Sequence, residues 1–158
     1  MPVSIVMSVF NKSLFIKKTI NSVLNQSYED FEFIIIDDGS TDNSLKILNT
    51  VKDKRIKLYS QYNIGIAGAR NFGIRVSEHE LITFIDADDE WDSNFLKEII
   101  SLKDSYNNCK AFVTAYVKKY PKYDEDVVIN SENKTGIIKD YFLQRISFPF
   151  YLVPIYID

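Results

Sequence analysis

Apolar positions along the chain fall into short unbroken runs, separated by polar turns and by stretches with helical spacing. Residues 3–10 form a β-rich run and predict a first strand, which Asn11-Lys12-Ser13 breaks. Ser13 is a candidate N-cap for a helix over 14–25, where Ile16, Ile20, Val23 and Leu24 mark the face laid on a sheet. A second buried strand over 31–36 ends in Asp37-Asp38-Gly39-Ser40-Thr41-Asp42. Thr41 or Asp42 then caps a helix reaching about residue 51, with Leu45, Leu48 and Val51 inward. Residues 55–60 read as a short, less apolar strand near a sheet edge. Residues 63–73 have helical spacing but contain Gly68 and Gly73, each costing about 1 kcal/mol against Ala. Tight packing, or close backbone approach to a ligand or to the sheet, would explain them. The run 81–85 is a strand apolar on both faces, followed at once by Asp86-Ala87-Asp88-Asp89.

Asp92 or Ser93 caps the next helix, whose stripe is Phe95, Leu96, Ile99, Ile100 and Lys103. Residues 111–117 read as a strand, 120–134 as a polar surface excursion, 135–145 as a short helix and 148–157 as an apolar, β-prone segment. That last segment reads as a strand lacking onward partners, so the chain is expected to be one domain, 1–158, incomplete on its C-terminal side. Alternating strands and helices predict βαβ units, an α/β class and a mostly parallel, Rossmann-like sheet flanked by helices. There is no internal repeat.

Composition narrows the function classes. Apolar residues at 46% exclude a disordered chain, and 158 residues suffice for one sizeable core. A net charge of −3 without basic clusters disfavours nucleic acid as a partner. The single cysteine, Cys109, reads as a small core residue, and no internal disulfide is available. No signal peptide and no run of about 20 apolar residues is seen, so a cytoplasmic setting is expected, with peripheral attachment at the inner membrane face compatible. His79 sits in a polar turn and reads as solvated. Trp91 reads as a packing anchor or a wall of a sugar site. Lys118, Lys119 and Lys122 read as a solvated face.

The chemistry lies in two acidic clusters, each at the carboxyl end of a strand. In a doubly wound sheet those ends share one rim, where ligands bind. Three carboxylates within four positions repel one another, and a cation relieves that repulsion. Hard oxygen donors suit Mg2+ or Mn2+, which use one or two protein carboxylates plus substrate phosphates. The pattern therefore points to a metal-dependent nucleoside diphosphate site. No G-x-G-x-x-G and no G-x-x-x-x-G-K-[ST] is present, which disfavours dehydrogenases and P-loop ATPases. A receiver-like signalling domain also gathers carboxylates and Mg2+ at strand ends, but it places the acidic pair after the first strand, where this chain has Phe10-Asn11.

Taken in order, Ser8-Val9-Phe10-Asn11, Asp37-Asp38-Gly39-Ser40-Thr41-Asp42, Asn63-x-Gly65 with Ala69-Arg70-Asn71, and Asp86-Ala87-Asp88-Asp89 resemble the motifs of inverting family 2 glycosyltransferases with the GT-A fold. The resemblance covers residues 3 to about 118. It implies transfer of a sugar from a nucleotide-sugar donor, most often a UDP-sugar, to a carbohydrate or lipid-linked acceptor hydroxyl. Ser8, Val9, Phe10 and Asn11 would line the nucleoside pocket, partly through backbone groups. Asp38 would hydrogen-bond the base, and Arg70 would contact the nucleotide. Asp86, with Ala87, would meet the ribose or the metal shell, and Asp88 would bind Mn2+ or Mg2+. The family's catalytic base lies beyond the last matched motif. Asp124, Glu125, Asp126, Glu132 and Asp140 match no motif for it, so a donor-binding module without turnover is the alternative.

Overall fold

Burial on both faces accounts for the unbroken apolar runs, because each becomes a strand of a sheet covered by helices on two sides. The structure, a computed structural model, describes residues 1–109, 111–112, 114, 116–119 and 124–127. Strands β1 (Val3–Val9), β2 (Phe31–Asp38), β3 (Ile56–Gln61) and β4 (Leu81–Asp86) pair in parallel in the order β3-β2-β1-β4. Helices α1 (Ile16–Leu24), α2 (Ser44–Leu48), α3 (Ile66–Val76) and α4 (Phe95–Ser105) follow the four strands in turn. The expected α/β class and the edge position of the third strand are both found.

Strand alternation sorts side chains into two cores. Val3, Ile5, Met7 and Val9 of β1, Phe33 and Ile35 of β2, and Ile85 of β4 pack with Ile16, Ile20 and Val23 of α1 and with Leu96 and Ile99 of α4. The opposite face carries Val6, Ile36 and α3. A Cβ on Gly73 would overlap Val6 and lie 3.1 Å from Ile36 Cδ1. The glycine thus lets α3 sit directly on the sheet, one of the two causes the sequence allows. Gly68 faces Ile64 instead.

Helix ends depart from expectation. The N-cap of α1 is Phe15 rather than Ser13, whose N–H donates to Asp42 Oδ2 at 3.0 Å. Asn43 is the N-cap of α2, and the helix stops at Leu48 with Ser44 and Leu48 buried and Leu45 half-buried. Asn94, not Asp92 or Ser93, is the N-cap of α4. The Leu96 N–H instead donates to Gln26 Oε1 at 3.0 Å, a long-range cap that no local spacing reveals. β2 continues through Asp37 and Asp38, and both are buried.

At the opposite end of the sheet a second polar network ties the turn after α3 to three strands. Glu32 Oε1 accepts from Ser4 Oγ (2.5 Å) and from the Glu78 N–H (2.7 Å). Lys57 Nζ lies 2.8 Å from Glu32 Oε2, an ion pair rather than an aligned hydrogen bond, and 2.6 Å from Glu78 Oε1. His79 is half-buried, its N–H donating to Ser4 Oγ at 3.1 Å.

The described residues fall into two compact units, one being Met1–Phe112. In the other, β5 (Tyr116–Lys119) and β6 (Asp124–Val127) form an antiparallel ribbon that sets Lys118 opposite Glu125 and Lys119 opposite Asp124. The strand expected over 111–117 thus begins only at Tyr116, and part of the expected surface excursion is strand. Cys109 lies in the turn after α4, its N–H donating to the Tyr106 carbonyl, and packs against the core. The helix expected over 135–145 and the segment 148–157, with Lys122, Glu132 and Asp140, lie outside the described residues.

Gly73→Ala is expected to destabilise the chain by about 1–3 kcal/mol through overpacking, against the usual helix gain of about 1 kcal/mol. Urea unfolding midpoints measure it; a rise in midpoint would contradict the packing described. For Glu32, burial pushes the carboxyl up, but Lys57, Ser4 and the Glu78 N–H together bring it below its ordinary 4.5. A carboxyl with a lowered folded pKa stabilises above its unfolded value, and that stability is lost as pH falls through the folded one. Stability should therefore decline below pH 4.5. Glu32→Gln should cost about 2–3 kcal/mol at pH 7 and flatten the decline, as pH-dependent urea titrations would show.

Candidate functional site

The strand order reverses beside β1. From β1 the chain winds through α1, β2 and α2 to β3, then returns under the sheet as α3 and enters β4 on the other side of β1. Such a reversal opens a crevice at the carboxyl ends of the two strands. Register places Ser8 beside both Ile36 and Asp86. By alternation Ser8, Asp38 and Asp86 share the face that carries α3, so both acidic strand ends open onto one rim. Asp37 belongs to the other face, its Oδ1 buried and without a hydrogen-bond partner among the described residues. The pleat therefore separates two neighbours that read as one cluster.

Asp38 anchors α3. Its Oδ1 accepts from Gln61 Nε2 (2.7 Å) and the Ile64 N–H (3.0 Å), and its Oδ2 from the Gly65 N–H (2.9 Å). These donors fix the loop before α3, and Asp38 as a whole is only 2% exposed. Gly39, at φ 73°, makes the turn that lets this loop close down: a Cβ there would sit 2.9 Å from the Asn63 nitrogen. With α3 so placed, Arg70 Nη2 reaches Asp86 Oδ1 at 2.6 Å, its guanidinium lying 5.7 Å above the Phe84 ring.

The loop after β1 is held by a reciprocal clasp. Asn11, at φ 53°, accepts on Oδ1 from the Thr41 N–H (2.8 Å) and the Asp42 N–H (3.2 Å). In return the N–H groups of Asn11, Lys12 and Ser13 donate to Ser40 Oγ, Ser44 Oγ and Asp42 Oδ2. Hydrogen bonding from Ser44 and Ser13 holds the Asp42 carboxyl well below the usual carboxylate range. Asn11 thus spends its side-chain oxygen on the loop. Val9 and Ala87 bury their side chains in the core, the Ala87 carbonyl accepting from Thr19 Oγ1 at 3.0 Å, so at the rim both offer backbone only. Phe10 stands 46% exposed at the mouth of the crevice.

After β4 a tight turn, closed by the Asp89 N–H donating to the Asp86 carbonyl at 3.0 Å, projects Asp88 over the crevice. Lys12 Nζ meets Asp88 Oδ2 there at 2.6 Å. Desolvation by the surrounding protein, with Asp86 and Asp88 adding, pushes the Asp89 carboxyl up to about 6, partly offset by Lys12. Among the described residues no three His, Cys, Asp or Glu side chains converge on a metal position. The donors still fit a hard divalent cation that completes its shell with substrate phosphates, since Asp86 and Asp88 are carboxylate ligands on one rim and Asp88 pairs with an exposed ammonium. Trp91 stacks on Phe95, ring centroids 4.2 Å apart, and packs against the core, the role of an anchor.

Lys12 and Gln61 were not singled out by sequence reasoning. A cation directly after the first strand, opposite an acidic turn, is the signal for Lys12. Gln61 lies one residue past the expected end of its strand.

A family model described as Glycosyl transferase family 2 matches residues 4–154. The chain belongs to glycosyl transferase family 2. This family 2 chain is 34% identical over 118 residues to the Escherichia coli UDP-Glc:alpha-D-GlcNAc-diphosphoundecaprenol beta-1,3-glucosyltransferase WfaP, covering 74% of this chain and 47% of that protein. It is 40% identical over 101 residues to WfgD of the same species and the same printed activity, covering 63% and 40%. S. aureus TarS in complex with UDP-GlcNAc superposes with a TM-score of 0.64 at 28% identity, over 68% of this chain and 32% of that one. A mannosyltransferase from Pyrobaculum calidifontis, solved with GDP-Man and Mn2+, shares the fold at 23% identity and a TM-score of 0.58, over 62% and 31%. The sheet with its flanking helices is thus a GT-A fold. The chain spans between 17% and 47% of the length of curated relatives it matches.

Asp38→Ala removes the acceptor for two backbone N–H groups and one side chain. It is expected to cost about 3 kcal/mol and to speed hydrogen exchange at the Ile64 and Gly65 amides. Unchanged exchange at those amides would contradict the anchoring role.

Proposed function

We propose that this chain is the donor-binding part of an inverting glycosyltransferase, moving a sugar from a UDP-sugar to an acceptor hydroxyl in glycan assembly with Mn2+ or Mg2+. The observation that carries the reading is the pairing of Asp86 with Arg70 and Asp88 with Lys12 around one crevice, beside Ser8 and below the loop that Asp38 holds. The likeness to WfaP and to TarS supports UDP as the nucleotide. WfaP and WfgD further support a lipid-diphosphate-linked sugar as the acceptor class.

In this reading Ser8 and Asp86 receive the ribose, and Phe10 borders the nucleoside at the mouth. Two donors fill Asp38 Oδ1, while among the described residues Oδ2 accepts from the Gly65 N–H alone, which leaves one acceptor position for a base N–H. Arg70, positioned by α3, orients Asp86. Asp88 and its neighbours would hold the divalent cation, which when bound supplies charge neutralisation for the departing nucleoside diphosphate. No described carboxylate is assigned as the base for the acceptor hydroxyl, and we place that role in the longer remainder that the relatives possess.

Calorimetric titration of UDP with and without Mn2+ tests the reading. Binding is expected to be metal-dependent, Asp88→Ala to abolish the metal effect, and Asp38→Ala to weaken binding even without metal. Absence of metal-dependent binding for any nucleoside diphosphate would refute it.

A further inference from the structure

One of the two ion pairs of the rim joins exposed side chains from different loops. Lys12 lies in the loop after β1 and Asp88 in the turn after β4, so their 2.6 Å contact bridges the crevice where the strand order reverses. The clasp fixes the Lys12 backbone, whose N–H donates to Ser44 Oγ at 2.8 Å, leaving only the flexible side chain to move. We propose that Lys12 is a resident countercharge: it occupies the oxygen of Asp88 that a divalent cation needs, and the two cations compete for it. This rests on the metal-dependent reading above.

The two ion pairs of the rim differ in the way such a role demands. Arg70 and Asp86 are 25% and 29% exposed, and the guanidinium lies over Phe84. A planar guanidinium supported by an aromatic ring stays in place. Lys12 and Asp88 are 36% and 40% exposed, and an ammonium on a four-carbon stem is a point charge free to turn away. An exposed pair of this kind contributes little to stability and is readily exchanged. With Asp86 paired to Arg70 and Asp88 to Lys12, the carboxylates of the acidic turn repel one another less. A divalent cation arriving alone must displace the ammonium. One arriving with a diphosphate leaves the ammonium a polyanion to turn to, so cation and nucleotide favour each other's binding.

The test uses the 158-residue chain and Mn2+ as the probe, with bound cation read by electron paramagnetic resonance in the absence of nucleotide. Lys12→Met keeps the stem and removes the charge. It should bind Mn2+ about two- to fivefold more tightly than wild type, the range set by the strength of an exposed pair. Lys12→Gln should do the same, Lys12→Arg should resemble wild type, and adding Asp88→Asn to Lys12→Met should erase the gain. Equal or weaker Mn2+ binding by both neutral variants, with Mn2+-dependent UDP binding intact in wild type, would overturn the role of Lys12 and leave the donor-site reading standing. If neither wild type nor the variants bind Mn2+, with or without UDP, both fall together.

Discussion

A buried carboxylate governs the geometry of the rim. Asp38 sits at the end of a central strand and is almost wholly enclosed, so its charge must be met by donors that stay in place. The Ile64 and Gly65 amides and the Gln61 side chain meet it, and they belong to the segment that leads into α3. The position of α3 sets where Arg70 points, and Arg70 in turn holds Asp86. A chain of charged hydrogen bonds thus runs from the interior of the sheet to the mouth of the crevice. Gly73 closes the arrangement from below by allowing the helix backbone to rest on Val6 and Ile36.

Charge balance at the rim follows from backbone topology as much as from composition. The carboxylates Asp86, Asp88 and Asp89 come from one strand end, while their counter-ions come from elsewhere: Lys12 from the loop after β1 and Arg70 from α3. Folding is what brings opposite signs together, and Asp89, raised first by desolvation and then by Asp86 and Asp88, is pushed up to about 6. The match to this chain spans between 17% and 47% of the length of the curated relatives.

Much of this was legible in the residues. Four apolar runs gave four strands, helical spacing gave the four helices between and after them, and two acidic strand ends met at one rim because parallel strands put their carboxyl ends together. Where local spacing misled, a long-range partner decided. Ser13 looks like a cap but serves the clasp, and α4 begins under Gln26, 70 residues earlier in the chain. Asp37 and Asp38 look equivalent, yet the two-residue period of the strand sends them to opposite faces. Asn11, expected at the nucleoside pocket, also gives its side-chain oxygen to the N–H groups of 41 and 42, which no local spacing reveals. Lys12 was hidden because its partner is 76 residues away in sequence.

The helix beneath the crevice is fastened at both extremities, by Asp38 ahead of its first turn and by Glu32 through the Glu78 amide just past its last. It therefore behaves as a beam pinned at two supports, unable to slide or tilt without breaking a buried acid's contacts. Any rearrangement of the rim must therefore be taken up by the segments facing that beam, after β1 and after β4, while the beam itself stays where folding put it.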